Sequence, residues 1–302
     1  MSSPWVSLPA FAKINLNLEL LGRRADGYWE IRTRYQTVSL HDRLRLRLTR
    51  PSRARGSGVE VRVPGGGAPA GRANLVYRIL ARACRRLGLR CGVEVEIEKN
   101  IPVARGLGGG SSDAASALLG LLRLTGERLA DGELVRLGAA VGADVPFFFV
   151  GGQAWGVGRG DDVHPLDDSE PAYCLLLCPP LRLPTRAAYA WARRAPLTRR
   201  RRPAIIADSP DGLWGTGNDF EPVIFSRFPE LARMKAALLG AGARQAGLSG
   251  SGSTVYALFT HRAAAERASR YAGWARTAGV FLAETLSRAR YRRALGWGVV
   301  QR

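Results

Sequence analysis

Residues 102–115 read PVARGLGGGSSDAA, and no other stretch restricts the fold and chemistry of this chain as much. Gly106, Gly108, Gly109 and Gly110 fill four of five consecutive positions, and Ser111 and Ser112 follow. An apolar stripe at helical spacing (Ala114, Ala117, Leu118, Leu121, Leu122) begins directly after them. Glycine opens backbone conformations closed to other residues and lets the main chain approach a ligand. A glycine loop that opens a helix presents unpaired N–H groups at the positive end of the helix dipole, so the segment predicts a phosphate cradle. A P-loop requires Gly-Lys-Ser/Thr at the helix start, and none of the three lysines, Lys13, Lys99 and Lys235, follows a glycine. A dinucleotide fingerprint requires a third glycine where Ser111 stands. The His-Arg-Asp and Asp-Phe-Gly elements of protein kinases are absent. An ordinary flexible loop is the competing reading.

At 302 residues, 46% of them apolar, the chain is long enough and apolar enough for two packed domains. No apolar stretch reaches membrane-spanning length. The N-terminus lacks a basic start before an apolar stretch and carries Lys13 inside its apolar pattern, so a cytoplasmic protein without a membrane partner is expected. Cys84, Cys91, Cys174 and Cys178 lack C-x-x-C spacing and read as reduced thiols, not a zinc site. The net charge of +20 raises the question of nucleic acid. The basic clusters run over 43–55, 193–202 and 288–302, but the bias is nearly all arginine and no nucleic-acid motif accompanies it. It reads as compositional habit, and no nucleic-acid partner is expected; a basic homologue that binds RNA without catalysis is the rival of a different class. In a chain that writes its cations as arginine, a retained lysine marks a place for a compact point charge instead of a planar fork. Lys235, on an expected surface helix, fits chance retention.

Strand alternation runs through 43–48, through Val59, Val61 and Val63, and through Val93, Val95 and Ile97. Helical spacing runs over 74–87, after the glycine loop, over 131–141 with Asp131 as N-cap, and over 229–239. Antiparallel-looking strands with helices between them predict α+β. The Gly- and Asp-rich stretch 156–168 suggests a change of domain, dividing the chain into 1–160 and 161–302. A second glycine-serine turn, GLSGSGSTV (247–255), runs straight into a strand.

Two further segments carry chemistry. In AKINLNLELLGRRADGYWE (12–30) the early alternation puts Lys13, Asn15 and Asn17 on one strand face. In GADVPFFF (142–149) Asp144 stands between a Gly-Ala turn and an apolar run, where a carboxylate either caps a turn or does acid–base work.

These segments, in this order and spacing, resemble the GHMP kinase superfamily over nearly the whole chain. The ADGY and GADVP elements resemble its branch acting on a cytidyl-diphosphate alcohol of the non-mevalonate isoprenoid route. The resemblance implies a two-domain α+β kinase with its active site in the inter-domain cleft, using ATP and Mg²⁺ to phosphorylate a small-molecule alcohol, as a monomer or homodimer. Another alcohol acceptor within the superfamily is the alternative. It implies Asp144 as catalytic base and Lys13 as its paired lysine. For ATP it implies Pro102, Val103, Ala104, Arg105, Gly106, Leu107, Gly108, Gly109, Gly110, Ser111 and Ser112, with Lys99, Asn74 and Asp113 nearby. For the cytidyl substrate it implies Asn15, Tyr28, Tyr35, Thr185 and Tyr189, with Tyr28 and Tyr35 offering faces to cytosine and Ser111 or Ser112 reaching Mg²⁺. The chemistry agrees: an alcohol attacks phosphorus once a carboxylate takes its proton, and a neighbouring ammonium steadies the developing alkoxide. The chain departs from the pattern at Trp29, where histidine is frequent, and at Arg105, where a small residue is frequent and where an arginine would lie beside the phosphates or point to solvent.

Overall fold

The computed structural model describes residues 2–50, 58–69, 71–193, 217–271, 273–274 and 277–297. The basic loop 195–203 lies outside these, as do the ends of the runs 43–55 and 288–302.

The first sheet is built on two long strands, β1 (Val6–Arg23) and β2 (Trp29–Thr49), paired antiparallel through the turn at Asp26-Gly27. β3 (Val59–Arg62), β4 (Gly92–Glu98), β5 (Gln153–Val157) and β6 (Asp162–Pro165) complete it in the order β3-β4-β2-β5-β6, with β1 on the other edge of β2. Only β3–β4 is parallel among these pairings. The alternation over 43–48 is explained by the two faces of β2. Leu44 and Leu46 are buried, while Arg43, Arg45 and Arg47 lie opposite Glu98, Glu96 and Glu94 on β4. Arg45 and Arg47 donate to Glu96 and Glu94 at 2.6 and 2.7 Å. This basic run is therefore half of a neutralised cross-strand row, each pair contributing little to stability.

Three helices cover this sheet: α1 (Leu75–Arg86), α2 (Gly109–Thr125) and α3 (Asp131–Ala139). α2 is buried from Ser112 to Leu122 and fills the space between the sheet and α1. A Cβ on Gly120 would overlap Leu46, so a small residue lets helix and sheet close on each other. α3 starts one residue earlier in its capping than the sequence suggests: Ala130 is the cap, and Asp131 is the first helical residue, where its charge still suits the helix dipole.

The second sheet has the order β10-β7-β9-β8, formed by β7 (Tyr173–Cys178), β8 (Gln245–Leu248), β9 (Val255–Phe259) and β10 (Gly279–Glu284), all antiparallel. Around it lie α4 (Thr185–Ala192), α5 (Glu221–Arg227), α6 (Pro229–Gly240) and α7 (Arg262–Ser269). α8 (Arg288–Leu295) ends the described chain. Because β5 and β6 form a hairpin across residue 160, sheet membership changes between Pro165 and Tyr173.

The halves interlock. The far ends of β1 and β2 place Leu18, Leu20 and Ile31 in the core of the second sheet. α8 returns to the first core with Tyr291 and Leu295, and the Tyr291 hydroxyl donates to the Phe148 carbonyl at 2.5 Å. Lys235 is no idle surface cation: it donates at 2.7 Å to Glu221, whose other oxygen accepts the Leu248 N–H. No described helix is long and apolar enough to cross a membrane.

Candidate active site

The glycine loop runs from the end of β4 to the start of α2 and touches both halves of the molecule. Gly106 and Gly108 have φ of +79° and +70°, a region that favours glycine. Space makes the same demand: a Cβ on Gly108 would lie 2.9 Å from the Lys13 side chain, and one on Gly106 would overlap the Ser249 carbonyl. Main-chain bonds fix this approach. Leu107 accepts the Lys13 N–H at 3.0 Å, and the Ser249 hydroxyl donates to the Gly106 carbonyl at 2.9 Å. The two glycine turns are thus laced together, with Asn218 holding the second through the carbonyls of Leu248 and Gly250. Arg105 belongs to this lacing. Its guanidinium donates to Ser253 at 3.2 Å, which ties it to the second turn.

Lys13, on β1, is buried, and its Nζ lies 3.5 Å from Asp144 Oδ2. The same ammonium donates to Asn15 Oδ1 at 2.6 Å, and Asn15 in turn donates to Thr33 at 2.7 Å. Asn17 does not join them. A bulge at Leu16 shifts the register, and the Asn17 side chain instead accepts the Arg34 N–H at 2.7 Å. Asp144 stands on the turn between α3 and the 3₁₀ segment Pro146–Phe149, with about a third of its side chain open to the cleft (34%). Its second oxygen accepts the Tyr35 hydroxyl at 3.1 Å.

Tyr35 itself is fully buried against Phe147, ring centroids 4.8 Å apart, and offers no free face for a base to stack on. Burial, then the Asp144 charge, pushes its phenol well above the usual range, so it stays a donor. Tyr35 contributes to the cleft lining, as its motif position suggests, with its hydroxyl turned to Asp144.

A cavity of about 1300 Å³ opens over this pair. That exceeds an ordinary single-ligand pocket and gives room for two. Its lining brings together Gly106 and Ser111, the group Lys13, Asn15, Tyr35 and Asp144, and Tyr28, Thr185 and Tyr189. Thr185 and Ser251 hydroxyls meet at 3.2 Å there. The Tyr28 ring is 58% exposed with Arg159 over it at 5.2 Å. Trp29 lies near-parallel to Tyr189, centroids 6.3 Å apart, and Tyr189 is set edge-on to Phe220. Burial and then Asp144 raise the Tyr189 phenol to about 12. Tyr28, Trp29 and Tyr189 thus supply the planar surfaces.

Of the remaining loop residues, Leu107 and Ser112 are buried, while Ala104 and Gly110 are exposed. Asn74 spends its side chain on structure: Oδ1 caps α1 through the Val76 N–H at 2.9 Å, and Nδ2 donates to the Pro69 carbonyl at 2.8 Å. Lys99 is wedged between Asp113, at 2.7 Å, and Asp42. Asp42, which the motifs do not reveal, also accepts the N–H groups of Asn100 and Ile101 at 2.5 and 2.7 Å, pinning the entry to the glycine loop. Burial is the largest influence on Asp113 and raises it to about 7.

Comparison with known proteins agrees with this geometry. The GHMP kinases N terminal domain matches residues 74–152 and the GHMP kinases C terminal domain residues 198–273. A 4-diphosphocytidyl-2-C-methyl-D-erythritol kinase of Syntrophotalea carbinolica is 41% identical over 89% of this chain and 96% of its own length. The enzyme of that name from Moorella thermoacetica is 39% identical over 83% of this chain and 89% of its own. A crystal structure of 4-(cytidine 5'-diphospho)-2C-methyl-D-erythritol kinase superposes with a TM-score of 0.75 at 32% identity, covering 93% of this chain and 99% of that one. With the loop, the cleft and the lysine–aspartate pair in place, the chain belongs to the 4-diphosphocytidyl-2-C-methyl-D-erythritol kinase family of the ATP-dependent GHMP kinases.

Proposed function

We propose that the chain transfers the γ-phosphoryl group of ATP to the 2-hydroxyl of 4-diphosphocytidyl-2-C-methyl-D-erythritol, giving the 2-phosphate and ADP. The observation that carries this reading is the position of Lys13 and Asp144. They lie 3.5 Å apart in the lining of a cavity to which glycine-loop residues and aromatic rings also contribute.

The 2-hydroxyl enters beside Asp144, whose carboxylate takes its proton as the new O–P bond forms. The bond from the γ-phosphorus to the bridging oxygen breaks, and ADP leaves with that electron pair. The Lys13 ammonium faces the same point and steadies the charge that develops on the attacking oxygen. Tyr35 and Asn15 fix the pair: one holds Asp144 Oδ1, the other holds Lys13 Nζ. Phosphoryl transfer requires mostly such positioning and charge stabilisation. The phosphates of the donor lie over the start of α2, where unpaired N–H groups converge. Cytosine stacks among Tyr28, Trp29 and Tyr189. Indole only donates, so Trp29 adds a face and no ring acceptor.

Among the described residues no group of three or more His, Cys, Asp or Glu side chains could hold a metal ion. This suits a Mg²⁺ brought by the phosphates, which takes one or two protein oxygens and keeps several waters. Ser111, in the cavity wall, would hold it, and the ion would neutralise charge on the phosphate oxygens.

The test is acceptor choice. Purified protein with ATP and Mg²⁺ should phosphorylate the cytidyl compound and leave mevalonate and homoserine unchanged. Equal turnover of either of those alcohols, or none of the cytidyl compound, would contradict the proposal.

A further inference from the structure

The geometry points to Arg78 and Arg136 as a second grip on the polyphosphate of the nucleotide donor, acting beside the glycine loop; this inference rests on the kinase reading above. α1 and α3 pack side by side. At the outer end of their seam Arg86 pairs with Glu133 at 2.5 Å. Arg78, Arg82 and Arg86 share a face of α1 by their spacing of four, and Glu133 and Arg136 lie one turn apart on α3. The seam therefore changes character along its length. Its outer end has an acid for its base, whereas Arg78 and Arg136 line the cleft and have no carboxylate partner among the described residues.

The inner end of the seam meets the start of α2. A Cβ on Gly142 would lie 3.5 Å from the Ser111 hydroxyl and 3.6 Å from Leu75, and one on Gly110 would lie 3.9 Å from Leu75. Leu75 opens α1, three residues before Arg78. Two helix N-termini thus converge beside two guanidinium groups. Neither α1 nor α2 has an acidic residue in its first turn to offset them. A cation in the opening turns of a helix opposes the helix dipole, so Arg78 occupies a place that its own fold disfavours. An anion removes both costs. The planar fork of arginine matches two phosphate oxygens at once, and half-buried Arg78 would lose less to solvent than a surface arginine.

The experiment measures calorimetric binding of ATP, AMP and inorganic triphosphate to the full chain, as wild type, Arg78→Gln/Arg136→Gln and the control Arg86→Gln. The double variant should weaken ATP and inorganic triphosphate by roughly 10–100-fold, the range expected for lost charge-assisted bonds. AMP should change less than about threefold, and the control should bind as wild type. The exposed-site variant Arg136→Glu, which keeps α1 intact, should weaken triphosphate more than Arg136→Gln does. Wild-type affinity for triphosphate in the double variant, or equal losses for AMP and triphosphate, overturns the inference. Inorganic triphosphate binding needs no turnover, so it is read apart from acceptor phosphorylation. A wild type that binds triphosphate through these arginines yet phosphorylates nothing refutes the kinase reading and leaves this site standing.

Discussion

Two lysine–carboxylate contacts flank the glycine loop, and they are used in opposite ways. Lys99 lies between Asp42 and Asp113, all three closed off from solvent. Asp42 has three donors aimed at it, Lys99 and two backbone N–H groups. Asp113 offers Lys99 one oxygen, and its other oxygen is buried without a partner among the described residues. Lys13 meets one carboxylate at a longer distance, and that carboxylate keeps 34% of its side chain open to the cleft. The two contacts differ in access: the carboxylates at Lys99 are shut away from solvent, whereas the one at Lys13 still faces a cavity. Lys99 sits at the loop's entry, and Lys13 is the lysine we propose for the reaction.

Substitutions can break this contrast, from strong effects to weak. Asp144→Asn should lower turnover on the order of 10³–10⁴-fold, because the amide cannot take the hydroxyl proton. Melting temperature and ATP binding should stay near wild type, and a matching loss of stability would remove the distinction between the two sites. Asp42→Asn should do the reverse. An amide N–H would face the Lys99 ammonium, at a cost of about 3–5 kcal/mol in denaturant unfolding. Lys13→Met should reduce kcat by about 10²-fold while KM for ATP moves little. Tyr35→Phe leaves the ring in place and removes one donor to Asp144. A drop in kcat of about tenfold at unchanged stability is expected, the scale of one hydrogen bond to a charged group.

Asp113→Asn should be nearly silent at neutral pH, costing less than about 1 kcal/mol, since the amide resembles the protonated carboxyl that burial favours. The sign of the pH dependence follows from the same burial. The folded protein holds the Asp113 proton up to about pH 7, and the unfolded chain releases it near an ordinary carboxyl value of about 4. This contribution is complete below about pH 4 and is lost as pH rises toward about 7. Unfolding measured across that window should show a decline in wild type that Asp113→Asn flattens.

Much of this was readable in the chain because it obeys local rules. The alternation of 43–48 gave a strand with one wet face, and Leu44, Leu46 and their arginine neighbours sit as it predicts. The glycine loop announced both its backbone conformation and its helix. What escaped depends on contacts distant in sequence. Asp42 is an acid at the head of a run of arginines, and only the fold brings it to Lys99, 57 residues away. Arg105 was read by its neighbours in sequence, whereas its partner is Ser253 on the other turn. The tail after Leu286 looked like charge alone, because Tyr291 and Leu295 are embedded in arginines; their spacing of four was the available signal for a buried helix face. Tyr35 has the right residue type for base stacking, and only the fold shows its buried ring and its hydroxyl on Asp144, 109 residues away.

The most direct test of the open pair is ADP release coupled to a dehydrogenase readout, with 4-diphosphocytidyl-2-C-methyl-D-erythritol as acceptor, run on wild type and Asp144→Asn alongside ATP binding to both. The account predicts acceptor-dependent ADP release in wild type and its loss in the variant, with ATP affinity retained. Wild-type turnover by Asp144→Asn would contradict it.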